Sequence, residues 1–160
     1  MFKIKVGDHV VYPGHGVGKV INSESKEIFG KVQDFMTVQL SDNGMKIMLP
    51  SGNVDAVGLR KLAKRKEINE VFKDIEHVKH LEHGSWNMRY REYMEKVRTG
   101  SFREVCEVLK QLNSLKGEKE LSFGERKMLE TSKALIVSEV GLSLKMPIDE
   151  AEKFVTDKIG

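Results

Sequence analysis

The sequence predicts an α+β fold in two parts, a small β-barrel followed by an all-α bundle of about five helices. Residues 3–50 contain short β-rich segments separated by glycine and proline turns. From about residue 60 the apolar residues recur with the period of a helix. A chain of 160 residues with 39% apolar side chains can bury one ordinary core or two small ones. The predicted domains are residues 1–58 and 62–160.

The first domain is predicted to hold five short strands. They include segments 5–12, 16–21, 32–40 and 45–49. Turns are expected at Pro13-Gly14, Phe29-Gly30 and 42–44, and Pro50 is expected to end the last strand. A barrel this small leaves an incompletely paired edge, which can accept a strand from another protein.

The second domain is predicted from helical periodicity and capping residues. Its helices are expected at 67–78, 86–98, 102–115, 123–144 and 147–158. Ser101 with Glu104, and Ser122 with Glu125, match the capping box, in which each side chain satisfies a free N–H of the first turn. Pro147 fits the first position of the last helix. Residues 58–61 are expected to form a short linker.

Charge and composition limit the classes of function. The net charge of +3 is a mild basic excess, and residues 61–100 carry ten basic and seven acidic side chains. We place this excess around Trp86, so any affinity for nucleic acid should be weak and salt-dependent. No apolar run approaches the ~20 residues of a membrane span, and Cys106 cannot form a disulfide within the chain. The sequence therefore predicts a cytoplasmic protein, acting as a monomer, without a membrane segment.

Three apparent motifs do not meet the requirements of their chemistry. The glycines of residues 14–19 lack the spacing of a phosphate-binding loop and are better explained as strand turns. His77, His80 and His83 do not have the intervals of a known metal motif, so no metal is expected. No nucleophile or carboxylate pair stands out. We therefore expect no enzyme activity and no cofactor.

Trp86 is the only tryptophan, and two interpretations of it compete. Ser85 would be the N-cap of a helix whose first turn presents Trp86 and Arg89, an arrangement suited to a phosphate-rich partner. The helical repeat also aligns Trp86 with Tyr90, Tyr93 and Val97, and such a stripe usually faces the core. Spacing alone favours the core.

Several strings resemble the CarD/CdnL family of bacterial transcription regulators. In the first half these are VGDHVVYPGHGVG at 6–18, NGMKIMLP at 43–50 and VGLR at 57–60. In the second half they are WNMRYREYMEK at 86–96, TGS at 99–101 and LSFGERKML at 121–129. The resemblance covers nearly the whole chain in the right order.

The resemblance implies that the first domain is Tudor-like. It also implies that this domain binds the RNA polymerase β subunit by pairing the edge of its sheet with the edge of a sheet in the polymerase. The strand at 43–50 would supply that edge. Contacts carry over to Val38, Met48 and Pro50, with Lys26 as a further candidate. Some members carry arginine in place of Met48, so this contact is expected to depend more on apolar packing.

The resemblance also implies that the helical domain contacts promoter DNA at the upstream edge of the transcription bubble. Trp86 would wedge into the minor groove and stabilise the open complex, independently of base sequence. Phosphate contacts carry over to Arg89, Arg91, Arg126 and Lys127. Met88 stands where some members carry arginine. Through polymerase the protein would be associated with the nucleoid.

Three other functions remain open on sequence grounds. The chain could be a protein–protein adaptor in which Trp86 anchors a partner helix and DNA is not contacted. It could be an enzyme whose catalytic residues are far apart in sequence. Small barrels can also read modified lysine or arginine through an aromatic cage, but Tyr12, Phe29 and Phe35 are widely separated in the sequence.

Overall fold

The computed structural model describes residues 4–78 and 86–159, without the side chain of Trp86. The chain divides into two compact units, Met1–Leu62 and Ala63–Gly160. The described part of the first unit is built on five antiparallel strands, and that of the second contains five helices. The predicted α+β architecture is confirmed.

The first unit, which we call the sheet unit, is one antiparallel sheet in the order β4-β3-β2-β1-β5. The strands are β1 (His9–Tyr12), β2 (Gly16–Ile28), β3 (Lys31–Leu40), β4 (Lys46–Pro50) and β5 (Arg60–Lys61). Between β4 and β5 lie a 3₁₀ turn (Ser51–Asn53) and the short helix α1 (Val54–Val57). The core on one face is formed by Val10, Val20, Met36, Val38, Leu49 and Leu59. The described strand pairs do not join β4 to β5, so the sheet keeps two edges.

The hairpin of β2 and β3 is longer than predicted. The sequence indicated a strand only to residue 21, whereas β2 continues to Ile28 and pairs with β3 up to Lys31. Residues 22–28 lack apolar alternation because this part of the ribbon buries neither face. Phe29 and Gly30 form the expected turn with φ values of 53° and 79°. Two successive positive φ values are those of the tight hairpin turn whose twist matches the strands.

The expected linker at 58–61 is partly wrong. Arg60 and Lys61 form β5, which pairs with Val11 and Val10 of β1. These two residues satisfy main-chain groups of β1 that would otherwise be unpaired. The sheet therefore continues past the predicted boundary at residue 58.

The second unit, which we call the helical unit, contains the predicted helices with small changes at their ends. They are α2 (Arg65–Asp74), α3 (Trp86–Arg98), α4 (Phe102–Lys116), α5 (Phe123–Leu144) and α6 (Ile148–Ile159). The bounds of α3 and α5 are those predicted. Pro147 precedes α6, and its carbonyl accepts the Ala151 N–H at 2.9 Å. It is therefore the N-cap and not the first helical residue.

Only one of the two predicted capping boxes is complete. At α5 the Ser122 N–H donates to Glu125 Oε1 at 3.0 Å, and the Glu125 N–H donates to Ser122 Oγ at 3.2 Å. At α4 the Glu104 N–H donates to Ser101 Oγ, but the Glu104 carboxylate accepts the hydroxyl of Thr99 at 2.6 Å. Because that hydroxyl also accepts the Ser101 N–H at 3.2 Å, it occupies the place of the glutamate in the box.

The core of the helical unit explains its apolar pattern. Tyr93 is buried, and Tyr90 and Val97 pack against the same core, so the predicted stripe on α3 is confirmed for these three residues. Cys106 is completely buried, as a packing residue would be. Within the described ranges, no helix is long and apolar enough to span a bilayer.

Candidate functional site

The strand β4 forms an edge of the sheet, as the sequence predicted for this region. The N–H of Leu40 donates to the carbonyl of Met45 at 2.8 Å, which makes these residues a hydrogen-bonded pair. Because such pairs alternate along an antiparallel ladder, Ile47 and Leu49 bond to β3, opposite Val38 and Met36. The main-chain groups of Lys46, Met48 and Pro50 therefore face the open edge.

This orientation explains why a proline can belong to the strand. Pro50 was expected to end the strand before it, but it is the last residue of β4 and lies opposite Phe35. At a position that does not bond to β3, the missing N–H removes no ladder hydrogen bond. Pro50 instead removes one donor from the open edge, where an added strand would pair.

Met48 and Lys26 meet on the outer face of the sheet. The Met48 side chain is about half exposed (48%). The Nζ of Lys26 lies 3.7 Å from the Sδ of Met48 and 3.4 Å from a carboxylate oxygen of Glu24. Two of the predicted polymerase-binding residues are thus in contact, and both are accessible beside the open edge.

Val38 has a different position from the other predicted contacts. Its side chain is completely buried in the sheet core, so it cannot touch a partner. A Cβ on Gly18 would lie 2.7 Å from Val38 Cγ1 and 2.9 Å from the carbonyl oxygen of Gln39. Val38 therefore sets the position of β3, and through Ile47 that of β4, rather than offering a surface.

The tip of the β2–β3 hairpin is an apolar feature that the sequence did not identify. Phe29 is fully exposed and Val32 is 75% exposed. A bulky side chain at positive φ is unusual because it strains the backbone. In the free chain, burial of the Phe29 side chain does not offset this strain. The turn signal Phe29-Gly30 located the tip, but periodicity gave no indication that its side chains would be in solvent.

The predicted DNA-binding residues of α3 lie on different sides of the helix. The backbone of Trp86 begins α3, while its side chain, with Ser85, lies outside the described residues. Arg89 is half-buried and Arg91 is exposed. Two residues correspond to about 200° around a helix, so these arginines cannot serve the same phosphate from one face. Met88 is exposed (59%).

Arg126 and Lys127 are exposed in the first two turns of α5. They follow Glu125, which is almost completely buried and is the acidic member of the complete capping box. The Lys119 ammonium lies 3.8 Å from Glu125 Oε1, while Glu125 Oε2 is buried and has no hydrogen-bond partner among the described residues. The two exposed cations therefore stand on a helix start that is firmly fixed.

Tyr93 joins α3 to this helix start. Burial raises the pKa of the Tyr93 hydroxyl, and the carboxylates of Glu125 and Glu92 add to the rise, while Arg89 opposes it. Arg89, one turn before Tyr93 on α3, and Glu125, at the start of α5, are therefore both within electrostatic range of the phenol. Arg91 differs from Arg89 in being exposed to solvent.

An open cleft of about 700 Å³ lies where α4 leads into α5. Arg126 lines it together with three lysines and three glutamates. These are Lys116, Lys119, Lys133, Glu118, Glu120 and Glu130. Because positive and negative groups nearly balance, the cleft itself is a poor phosphate pocket.

The motifs that the sequence analysis set aside have ordinary structural roles where they are described. Gly14 has a positive φ in the turn between β1 and β2, as expected, whereas Gly16 begins β2 with a positive φ and Gly18 lies inside β2, so the expectation of turn glycines is wrong for these two. Tyr12 packs edge-on against His15. Among the described side chains no three metal-ligating groups come together, and His80 and His83 lie outside the described residues.

These features define a class of protein: a two-unit chain with an open sheet edge in one unit and exposed basic side chains in the other. Residues 4–63 match the family model described as the CarD-like/TRCF RID domain, where RID denotes the RNA polymerase-interacting domain. Residues 67–156 match the model described as the C-terminal domain of CarD. The chain belongs to the CarD family of transcription factors and carries its RNA polymerase-interacting domain.

Three individual proteins are similar to most or to part of this chain. A Bacillus subtilis protein named "Putative transcription factor YdeB" is 28% identical over 136 residues, covering 85% of this chain and 89% of its own. The solution structure of the N-terminal domain of Myxococcus xanthus CarD is 39% identical, with a TM-score of 0.32, over 38% of this chain and 81% of that one. CdnLNt from Myxococcus xanthus is 44% identical, with a TM-score of 0.33, over 38% and 86%.

Proposed function

We propose that this protein regulates transcription initiation by binding the RNA polymerase β subunit through β4 and stabilising the promoter open complex through its helical unit. The single observation that carries the proposal is the free edge of β4, in a domain whose family interacts with polymerase. An added strand would gain main-chain hydrogen bonds from this edge and side-chain specificity from its exposed positions.

Each predicted polymerase-binding residue has a distinct part in this proposal. Met48 offers its edge N–H and carbonyl together with a half-exposed side chain, and Lys26 supports that side chain from β2. Pro50 limits the length of the shared ladder because it has no N–H. Val38 acts indirectly, by positioning β3 and β4 from the core.

The helical unit would contact DNA in the open complex. Trp86 would wedge into the minor groove at the upstream edge of the bubble, next to phosphates held by Arg89, Arg126 and Lys127. Support comes from the exposed position of the last two at the start of α5. Arg91, on the solvent side of α3, would bind a separate phosphate.

The proposed mechanism is thermodynamic linkage between binding of this protein and melting of the promoter. A ligand that binds the melted promoter more tightly than the closed one raises the open population by the ratio of the two affinities. A difference of about 1.4 kcal/mol is tenfold. A wedge that fits only a distorted base step can supply that difference. Binding to polymerase keeps the weakly basic helical unit at a high local concentration near the promoter.

The test is the lifetime of open complexes after a competitor challenge, with purified polymerase and a linear promoter. We expect the wild-type protein to lengthen the lifetime and Trp86→Ala to lose most of this effect while still binding polymerase. Met88→Ala, which removes an exposed apolar side chain two residues further along α3, is the matched control and should keep the wild-type lifetime.

The two parts of the proposal fail in different ways. Equal lifetimes for Trp86→Ala and wild type would remove the wedge and favour an adaptor that does not contact DNA. Lifetimes that respond to the protein without any binding of polymerase would instead remove the β4 interface. In either case a purified β subunit separates polymerase binding from the effect on DNA.

A further inference from the structure

The positive charge in the middle of the chain is concentrated just before and at the start of α2. Residues 61–66 carry four basic and no acidic side chains, whereas residues 67–100 carry six basic and seven acidic ones. The expectation that this excess surrounds Trp86 is therefore wrong. Within residues 61–100, the basic excess therefore lies just before and at the start of α2.

We call Lys64, Arg65 and Lys66 the basic turn. All three side chains are exposed. Lys64 is the N-cap residue in an extended conformation, and Arg65 and Lys66 are the first two residues of α2. Across the described part of the chain, none of the three forms an ion pair. Their charges are thus available to a ligand.

The position of the basic turn is unfavourable for the helix itself. The start of a helix carries partial positive charge and favours acidic residues, whereas cations are favoured at its end. Glu67 is the one acidic residue in the first turn of α2, and the cap residue makes no side-chain hydrogen bond. Helix stability therefore does not account for three cations here. A bound polyanion would turn the same arrangement into a favourable one.

The basic turn is also held in a fixed place. The N–H of Ala63, just before the cap, donates to Oε2 of Glu139 at 2.7 Å, and the hydroxyl of Ser143 donates to the Ala63 carbonyl. Glu139 is almost completely buried (3% exposed). The start of α2 is therefore attached to the last two turns of α5, and the three cations project from a rigid base.

This attachment sets the distance to the other basic surface. Glu139 lies 13 residues after Arg126 on the same helix, which corresponds to about 20 Å at 1.5 Å per residue. Thirteen residues also correspond to about 220° around the helix, so the basic turn and Arg126 lie on different sides of α5 as well as toward different ends. One continuous helix thus carries the start of α5 at one end and the basic turn at the other.

We propose that Lys64, Arg65 and Lys66 form a second phosphate-binding surface that contacts double-stranded DNA away from the bubble. This inference rests on the proposed function in taking promoter DNA as the polyanion. It does not need the Trp86 wedge, because phosphate contacts require neither melted DNA nor a particular sequence. An acidic protein surface is the competing ligand, but three adjacent cations without ion pairs in the described part of the chain complement a continuous row of phosphates, and the chain belongs to a family of transcription factors, so we favour DNA.

The test measures the affinity of the full chain for a fully paired labelled duplex by fluorescence anisotropy across a range of KCl concentrations. The variant is Lys64→Gln/Arg65→Gln/Lys66→Gln. The matched control, Lys31→Gln/Lys153→Gln/Lys158→Gln, removes the same charge from three other exposed lysines. Thermal unfolding checks that each variant folds, and the basic-turn variant should be at least as stable as wild type because it relieves the helix dipole.

We expect the basic-turn variant to weaken binding on all duplex sequences and to lower the slope of log affinity against log salt by about 3, one for each lost phosphate contact. The control should leave the slope nearly unchanged. A wild-type slope in the basic-turn variant would overturn the inference. A wild-type slope combined with weaker polymerase binding would also overturn it, in favour of an acidic protein surface.

The outcome is independent of the wedge. If Trp86→Ala fails to shorten open-complex lifetime, the proposed wedge fails, while a lowered duplex slope still supports the basic turn. If the slope stays unchanged and Trp86→Ala shortens the lifetime, the basic turn fails and the proposed function stands.

Discussion

The sheet unit and the helical unit present surfaces made from different parts of the chain. The edge of β4 offers main-chain N–H and carbonyl groups that alternate with groups bonded to β3. The helical unit offers small groups of exposed side-chain cations at the starts of α2 and α5. A partner of the first surface depends on strand geometry, and a partner of the second depends on charge and ionic strength. A single change in the main chain of β4 can therefore abolish binding at the first surface. Binding at the second surface should weaken gradually as cations are removed.

The largest expected effect is that of Met48→Pro on polymerase binding. The substitution removes an N–H that faces the open edge and leaves the hydrogen bonds of Ile47 and Leu49 to β3 in place. We expect affinity for polymerase to fall at least about tenfold, equivalent to about 1.4 kcal/mol, with little change in affinity for duplex DNA. Met48→Leu keeps the N–H and should stay close to wild type. Equal binding by both variants would show that the main chain of β4 is not the interface.

The next effect is on the stability of the sheet unit. Gly18→Ala would place a methyl group within 3.0 Å of Val38 and of the Gln39 carbonyl, so β3 must shift. We expect the unfolding free energy of the sheet unit to fall by about 1–3 kcal/mol, seen as faster amide hydrogen exchange in β3 and β4. The control Gly52→Ala meets no atom within 4 Å. Unchanged hydrogen exchange in Gly18→Ala would mean that β2 and β3 can move apart without lowering the stability of the sheet unit.

The charge on α5 should act in smaller steps. Arg126→Gln/Lys127→Gln is expected to lower the salt slope of duplex binding by about 2 while polymerase binding stays the same. The double variant Lys153→Gln/Lys158→Gln removes equal charge from α6 and serves as the control. If both double variants lower the slope equally, net charge rather than a local contact determines the affinity.

The smallest expected effect is the pH dependence of the helical unit. Because burial raises the pKa of Tyr93 above its ordinary value of 10.0, the folded unit holds the phenol proton more tightly than the unfolded chain. The resulting stability is complete below about pH 10 and is lost as pH rises through the raised pKa. Urea unfolding followed by Trp86 fluorescence should lose stability with rising pH more steeply in wild type than in Tyr93→Phe. Identical pH profiles for wild type and Tyr93→Phe would show that the Tyr93 hydroxyl is more accessible to solvent than its burial indicates.

Local signals in the sequence predicted much of the fold. The Ser122 capping box located the start of α5, and the positive-φ turn at Phe29-Gly30 located the hairpin. Other features depended on contacts between distant segments. Nothing near Glu104 in the periodic pattern indicated that Thr99 would replace it as the partner of the Ser101 N–H. The exposed ribbon beyond residue 21 has no apolar alternation, because neither of its faces is buried.

The candidate site was predictable in composition more than in geometry. The resemblance named Met48, Pro50 and Lys26, but the hydrogen-bond alternation that turns Met48 toward the edge is a property of the paired strands. Val38 was expected to contact polymerase and instead lies in the core, since alternation alone did not reveal which face of β3 is wet. The charge count over residues 61–100 concealed a concentration of basic residues before Glu67.

The central claim is that the sheet unit tethers the protein to polymerase and the helical unit stabilises the open complex. Its most direct test is open-complex lifetime as a function of protein concentration for wild type, Met48→Pro and Trp86→Ala. Losing the tether lowers only local concentration, so Met48→Pro should regain the wild-type lifetime at high protein concentration. Trp86→Ala should reach a lower plateau that added protein does not raise. A wild-type plateau for Trp86→Ala, or an unrescued loss in Met48→Pro, would contradict this division of roles.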